Sequence, residues 1–360
     1  MTTATFQAQR RAIGWWLLIC AAMVFLMVVL GGATRLTESG LSMVHWKPLH
    51  ILPPLTDLEW AEEFAAYQQF PEFQKKNTWM AVEDFKEIFW LEYSHRLWGR
   101  TIGFVFFAPF MVFLWRGWID RPLAWKCTGL FALGGAQGLL GWYMVASGLV
   151  DRPDVSQYRL AAHLFAALVL YAALIWTALD LFRTVRPLPA PQPADAAFAR
   201  AALGVAVAVL VVMVSGAFVA GLDAGLIYNT FPLMDGHLVP PGLYTMSPWA
   251  ANIFENIMTV QFNHRVLAMV LVALVAGLWL RSRRCPAPPA RRLADALFAM
   301  SLLQAALGIS TLLLIVPLPL ALAHQGGALI LFTLALCLAH AVRLPSGQQA
   351  AASFHMKPAE

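Results

Sequence analysis

Charge is what this sequence has least of. Only 12% of its 360 residues are Asp, Glu, Lys or Arg, about half the share of an ordinary soluble domain. With 59% hydrophobic residues and a mean hydropathy of +0.63, that deficit excludes a soluble globular protein and indicates an integral membrane chain. Cysteine is scarce as well. Cys20, Cys127, Cys285 and Cys337 lie in or beside apolar stretches with no close pair, which excludes a disulfide framework and a cysteine-built zinc site. The net charge of +5 gives no indication of nucleic acid, because most arginines border apolar runs, where membrane topology accounts for them. Arg10 and Arg11 precede an apolar run too long for a cleaved signal peptide, so that run reads as an uncleaved first span.

What is there instead is a series of long apolar runs. Eight reach the roughly 20 residues needed to cross a bilayer, at about 13–33, 96–115, 123–146, 160–182, 201–221, 258–280, 293–315 and 320–342. The expected fold is therefore an all-α integral membrane protein of eight transmembrane helices. Arg116, Arg121, Lys126, Arg183, Arg186, Arg200, Arg281, Arg283, Arg284, Arg291 and Arg292 fall on one side with Arg10, Arg11 and Arg343. The positive-inside rule then puts both termini in the cytoplasm. The other side receives two longer segments, about 34–95 and 222–257. Within the first, Trp60, Phe64 and Tyr67 recur at helical spacing, Pro71 follows, and a similar piece spans Val82–Trp90. Both pieces are expected to be amphipathic helices lying over the outer membrane face.

The chain repeats itself. Gly31-Gly32-Ala33 ahead of Ser39-Gly40-Leu41 is echoed by Ser215-Gly216-Ala217 ahead of Ala224-Gly225-Leu226. His95-Arg96 is echoed by His264-Arg265, Gln137-x-x-x-Gly141 by Gln304-x-x-x-Gly308, and Ala162-His163 by Ala323-His324. Anchors in one order indicate duplication: a first half at 1–183, a Pro- and Ala-rich linker at 184–199, a second half at 200–345 and a tail at 346–360. Each half holds an even number of spans, so the halves share an orientation and are expected to be two pseudo-symmetric four-helix bundles about an axis along the membrane normal.

Four histidines stand near the starts of even-numbered spans. His95, His163, His264 and His324 precede Arg116, Arg183, Arg281 and Arg343 by 21, 20, 17 and 19 residues, which sets all four at similar depth near the outer face. Two imidazoles per half, on different helices at matched depth, is what axial ligation of a haem needs. Small residues one turn on, Gly99, Ala167, Ala268 and Ala328, leave room for a flat macrocycle. A lone membrane histidine more often bridges helices, but four in duplicated positions favour ligands. No cysteine or carboxylate stands at ligand spacing beside each pair, which disfavours zinc or copper. His45, His50, His237, His340 and His355 have no matched partner and are given no role.

The stretch Glu92–Arg100 concentrates the polarity, with Glu92, His95, Arg96 and Gly99 on one helical face. Arg96 and Arg265 each follow a ligand histidine and suit haem propionates; Arg100 is a second such candidate or an interface anchor. Glu92 stands where the second half has Gln261. A carboxylate can shuttle protons and an amide cannot, so the first site is expected to be reactive and the second quieter. The alternative for Glu92 is a simple pair with Arg96 at i+4.

Gly31–Ser42, Glu92–Arg100, the Gln137 and His163 segments and their echoes resemble the haem A synthase family, over about residues 12–343. The long first outer segment resembles the proteobacterial and mitochondrial form. The resemblance implies oxidation of a ring methyl of haem O to a formyl group, giving haem A for terminal oxidases. It implies that His264 and His324 hold a haem b cofactor as electron relay, and that His95 and His163, with Glu92 as the catalytic carboxylate, form the substrate site. It further implies a bacterial inner membrane, with the mitochondrial inner membrane as alternative. Haem O synthase and oxidase assembly factors would be partners by pathway, beside membrane lipid, and homo-oligomerisation is left open. Some members carry a cysteine pair in the first outer segment; residues 34–95 contain none, which sets aside a role for such a pair. The rival reading is a dihaem membrane cytochrome b exchanging electrons with quinone, disfavoured because all four histidines lie toward one side. A transporter on duplicated halves would need polar groups at midplane, for which Gln137 and Gln304 are the only candidates.

Overall fold

The computed structural model describes residues 3–45, 52–148, 155–185, 196–284 and 288–343. Among them the chain is helical, its sole strand-like feature an isolated bridge between Met234 and His237. The helices are α1 (Thr3–Leu36), α2 (Asp57–Gln68), α3 (Val82–Trp115), α4 (Arg121–Gly148), α5 (Gln157–Val185), α6 (Ala196–Gly221), α7 (Asn252–Glu255), α8 (Ile257–Ser282), α9 (Pro288–Leu313) and α10 (Leu318–Val342). Eight of them, all but α2 and α7, are long and apolar enough to cross a membrane, matching the eight apolar runs. His50, His355, Cys285 and Arg186 lie outside the described residues, as does most of the expected linker.

The eight spans divide into an inner and an outer set. Half of the apolar window of α1 is buried within the protein, against 6% for α4. The inner helices α1, α5, α6 and α10 supply most of the core, including Leu17, Leu168, Val209 and Leu338. The outer helices keep apolar side chains such as Phe104, Trp115 and Leu302 exposed, as a lipid-facing surface requires. Helix α1 packs on α3 and α5, and α4 packs on α3 and α5; α6 packs on α8 and α10, and α9 packs on α8 and α10. The two groups of four meet along α5–α6 and α1–α10.

At the arginine end, this seam is closed by a polar cluster. Asp180 of α5 accepts from His340 Nε2 of α10 at 3.0 Å and from Arg343, with Lys126 of α4 at 3.8 Å. The buried His340 ring stands edge-on to Trp176. A histidine that the sequence left without a role is thus a helix-to-helix fastener.

The long first outer segment departs from expectation. Val82–Trp90 is not a separate amphipathic helix on the membrane face; it is the first part of α3, which runs unbroken for 34 residues. At 1.5 Å per residue that is about 50 Å, well beyond a hydrocarbon core of about 30 Å. The stretch Glu92–Arg100 therefore lies within a continuous helix rather than at the mouth of one. Helix α2 opens with a capping box on Thr56 and Glu59. Its Trp60, Phe64 and Tyr67 do not face lipid but are buried against Phe85 and Phe89 of α3, a second, aromatic core. Tyr67 donates to Glu72 at 3.1 Å and accepts from Asn77 at 2.7 Å. Burial pushes the Glu72 carboxyl up to about 8, with Glu92 and Glu38 adding to the rise. The segment before α8 is irregular and held by Asn252, whose amide brackets Met246 through bonds to its N–H and carbonyl, 2.9 Å each.

Candidate functional site

His95 and His163 belong to one group of four helices, and His264 and His324 to the other. His95 of α3 lies within electrostatic reach of His163 of α5, and His264 of α8 of His324 of α10. Each imidazole rests against a glycine of a neighbouring helix. A Cβ added at Gly31 of α1 would lie 3.2 Å from His95 Nε2, and one at Gly141 of α4 3.6 Å from His163 Cε1. The matching distances are 3.3 Å from Gly216 of α6 to His264 Cε1 and 2.8 Å from Gly308 of α9 to His324 Cε1. Gly31 thus takes the part of Gly216, one residue out of the register that set Gly31 opposite Ser215.

Ring orientation is fixed from behind. Gln304 Nε2 of α9 lies 3.0 Å from His324 Nδ1 and donates to its backbone carbonyl at 2.8 Å. Gln137 of α4 stands in the same place, and its amide, with nitrogen in place of oxygen toward the ring, would make the same two contacts with His163 at 3.2 Å each. Ser215 Oγ lies 3.3 Å from His264 Nδ1. Engaging Nδ1 sets the tautomer and leaves Nε2 for a metal. The sequence showed Gln137 and Gln304 as repeated anchors but not this task, although Gln-x-x-x-Gly places amide and glycine one turn apart, facing one imidazole.

Beside each pair, the helix that carries the first histidine grips the preceding outer loop. Glu92, 2% exposed, accepts from Ser42 Oγ and from the Met43 N–H, each at 2.7 Å, and from Arg96 at 2.5 Å. Arg96 also donates to the carbonyls of Met43 at 2.7 Å and His45 at 3.3 Å. In the second group Gln261 donates to the carbonyls of Ala224 at 2.7 Å and Ile227, and accepts from Arg265 at 3.0 Å. Arg265 reaches the carbonyls of Tyr228 at 2.5 Å and Thr230 at 2.7 Å. The Glu/Gln difference is matched by the loops: one offers N–H and hydroxyl donors, the other carbonyl acceptors. Ser42 and Met43 were not singled out from sequence, since a loop's backbone direction leaves no compositional mark. Arg100 lies one turn beyond Arg96 and within its electrostatic reach.

Among the described residues, no three of His, Cys, Asp and Glu converge to hold a metal ion. In each pair two imidazoles on different helices rest against glycines, and His264 and His324 have a partner at Nδ1; such pairs fit a planar macrocycle ligated from both sides. The fold and site define a multi-pass membrane protein with a pair of histidines in each of its two groups of four helices.

Residues 14–336 match the family model COX15-CtaA, described as cytochrome oxidase assembly protein, and the chain belongs to that family. It is 52% identical to "Heme A synthase" of Nitrosospira multiformis over 338 residues, 93% of this chain and 95% of that protein. It is 48% identical to "Heme A synthase COX15" of Bos taurus over 345 residues, 94% and 83% of the two chains. As a member of this family the protein is a membrane oxidoreductase of haem biosynthesis.

Proposed function

We propose that this protein converts haem O to haem A, oxidising a ring methyl to a formyl group at the His95/His163 site, with a haem b held by His264 and His324. The observation that carries the reading is a chemical difference between two similarly built sites: a buried carboxylate, Glu92, one turn before His95, where the other site has the amide of Gln261. Family membership and the names of the relatives support it.

Haem O is the substrate of the first site. His95 and His163 hold its iron, and Gln137 keeps the second of these rings in orientation. Two successive hydroxylations take the methyl to a geminal diol, adding two oxygens at the level of water and releasing four protons and four electrons to an external electron acceptor; loss of one water from the diol then leaves the aldehyde. Glu92 is the group assigned to accept protons released at that edge. Arg96 and Arg100 are assigned to the propionates of the first site and Arg265 to those of the second; Arg96 and Arg265 also brace the loops above. In the second site Ser215 and Gln304 orient the two ligands. A haem bound there supplies one-electron redox chemistry. We read the two groups of four helices as duplicated halves, 1–183 and 200–345, in a bacterial inner membrane with both termini cytoplasmic.

The test is expression of the full chain in a host that makes haem O but has no enzyme of its own for the next step. Extraction and mass analysis of the haems should yield haem A beside haem b. Haem O left unaltered, with haem b alone in the purified protein, would contradict the assignment and favour the electron-transfer cytochrome.

A further inference from the structure

The two sites are joined by a side chain that belongs to neither ligand set. Gln325 follows His324 on α10, and about 100° of helical rotation separates them, so His324 faces Gly308 of α9 while Gln325 faces α1. Its Nε2 donates to the Val28 carbonyl at 2.8 Å. Its Oε1 occupies the place where Gly32 would carry a Cβ, 1.8 Å from that position. Gly326 packs against Phe25 and Val29 of the same helix. On α1 the arrangement is mirrored: Gly32 receives Gln325, and its neighbour Gly31 backs His95. A continuous run of contacts therefore leads from His324 through Gln325 and Gly32 to Gly31 and His95.

At the other seam, where α5 meets α6, the residues in the same places are Leu164, after His163, and Ala217, after Gly216. Neither can make the amide-to-backbone bond, and alanine fills the space that Gly32 leaves open. Backing one histidine needs only Gly31; a second glycine beside it is required by the inserted amide, not by helix packing in general. A primary amide inside a membrane helix seam is also costly unless it is bonded, and an apolar side chain, as at Leu164, serves packing alone.

From this we infer that Gln325 is a positioning residue that couples the two haem sites, fixing the α1 backbone behind His95 to the helix that carries His324. The inference rests on the assignment of a haem to each pair. Through it, the state of the second site is felt at the first by displacement of α1, and among the described residues the other seam carries no equivalent link.

The test uses the purified full chain with its bound haems, in four forms: wild type, Gly32→Ala, Gln325→Leu, and Gly32→Ala with Gln325→Ala. Thermal unfolding, low-spin electron paramagnetic resonance signals and haem dissociation from each site are followed on that protein. Gly32→Ala should lower the unfolding midpoint and shift the resonance of the His95/His163 haem, and the added Gln325→Ala should restore both. Gln325→Leu should leave the His264/His324 haem bound while weakening haem at His95/His163 by about tenfold, the scale of one lost buried hydrogen bond. If Gly32→Ala does not fold, Gln325→Leu decides alone. A lowered unfolding midpoint in Gln325→Leu with the first site's resonance and affinity unchanged would make Gln325 a packing residue and overturn the inference. Loss of the underlying assignment would look different: wild type itself would show no haem signal that His95→Ala or His264→Ala abolishes.

Discussion

The Glu92 carboxylate accepts the backbone N–H of Met43 at 2.7 Å, tying the middle of α3 to the loop that leaves α1. Its other oxygen takes Arg96, so the group offered for proton transfer also holds that loop in place. Glu92→Gln turns an amide N–H₂ toward donors that need an acceptor. It should lower stability by about 1–3 kcal/mol and cut haem A formation on the order of a hundredfold, the scale of a lost general base. The haem spectrum of His264 and His324 should persist. Ser42→Ala removes one bond but keeps the carboxylate, so it should cost about 1 kcal/mol with most activity retained. Equal loss of activity in both variants, read by haem extraction and thermal unfolding together, would reduce Glu92 to a structural clasp.

The glutamines behind the ligands give a second prediction. Gln304→Leu removes both contacts to His324 and should weaken haem binding in the second site by about ten- to a hundredfold, as loss of a ligand's orienting partner does elsewhere. Titration of haem into stripped protein, with the His95/His163 site as internal control, measures it. Unchanged affinity would mean that the helices alone set the ring.

The four glycines are not equally demanding. Gly308→Ala places a methyl 2.8 Å from His324 Cε1, closer than any normal contact, whereas Gly141→Ala places one 3.6 Å from His163 Cε1. Alanine at 308 should displace the imidazole and shift or abolish its low-spin haem signal. Alanine at 141 should leave the signal of its site nearly intact. Absorbance and paramagnetic resonance of the two variants side by side decide this, and the reverse order would refute the geometry.

The outer cap should respond to pH through Glu72. Its carboxyl is raised to about 8 from an ordinary 4.5, chiefly by burial and further by Glu92 and Glu38, with Tyr67 and Lys76 opposing. The folded cap holds that proton more tightly than the unfolded chain does, so this contribution to stability is full below about 4.5 and is lost as pH rises to about 8. Glu72→Gln should flatten that slope and raise the unfolding midpoint at pH 8. A cap equally stable at pH 5 and pH 8 in the unaltered protein would show that Glu72 stays ionised.

Much of this was legible because it was duplicated. His95, His163, His264 and His324 recur at matched depth, and Gln137 and Gln304 recur with their glycines, so spacing alone singled these residues out, though not what the glutamines touch. The continuity of α3 was not legible. Glu92, His95 and Arg96 interrupt the apolar run and mimic an interface, yet no Gly or Pro between Val82 and Trp98 breaks the helix, and α2 covers the apolar face that leaves the bilayer. The partners of Glu92 and Gln261 were hidden for another reason: they are backbone groups, and whether a loop turns N–H or C=O inward depends on torsions that side-chain composition does not record. Gln325 was missed because it has no echo. Its counterpart, Leu164, is an ordinary apolar residue, and a comparison built on likeness passes over the positions where the halves differ.

The most direct measurement is the identity of the haem retained by each half. His264→Ala should lose haem b while the His95/His163 site still takes haem O, and His95→Ala should keep haem b and yield no haem A. Haem b lost from His95→Ala, or haem A still made by it, would contradict the division of labour between the two sites.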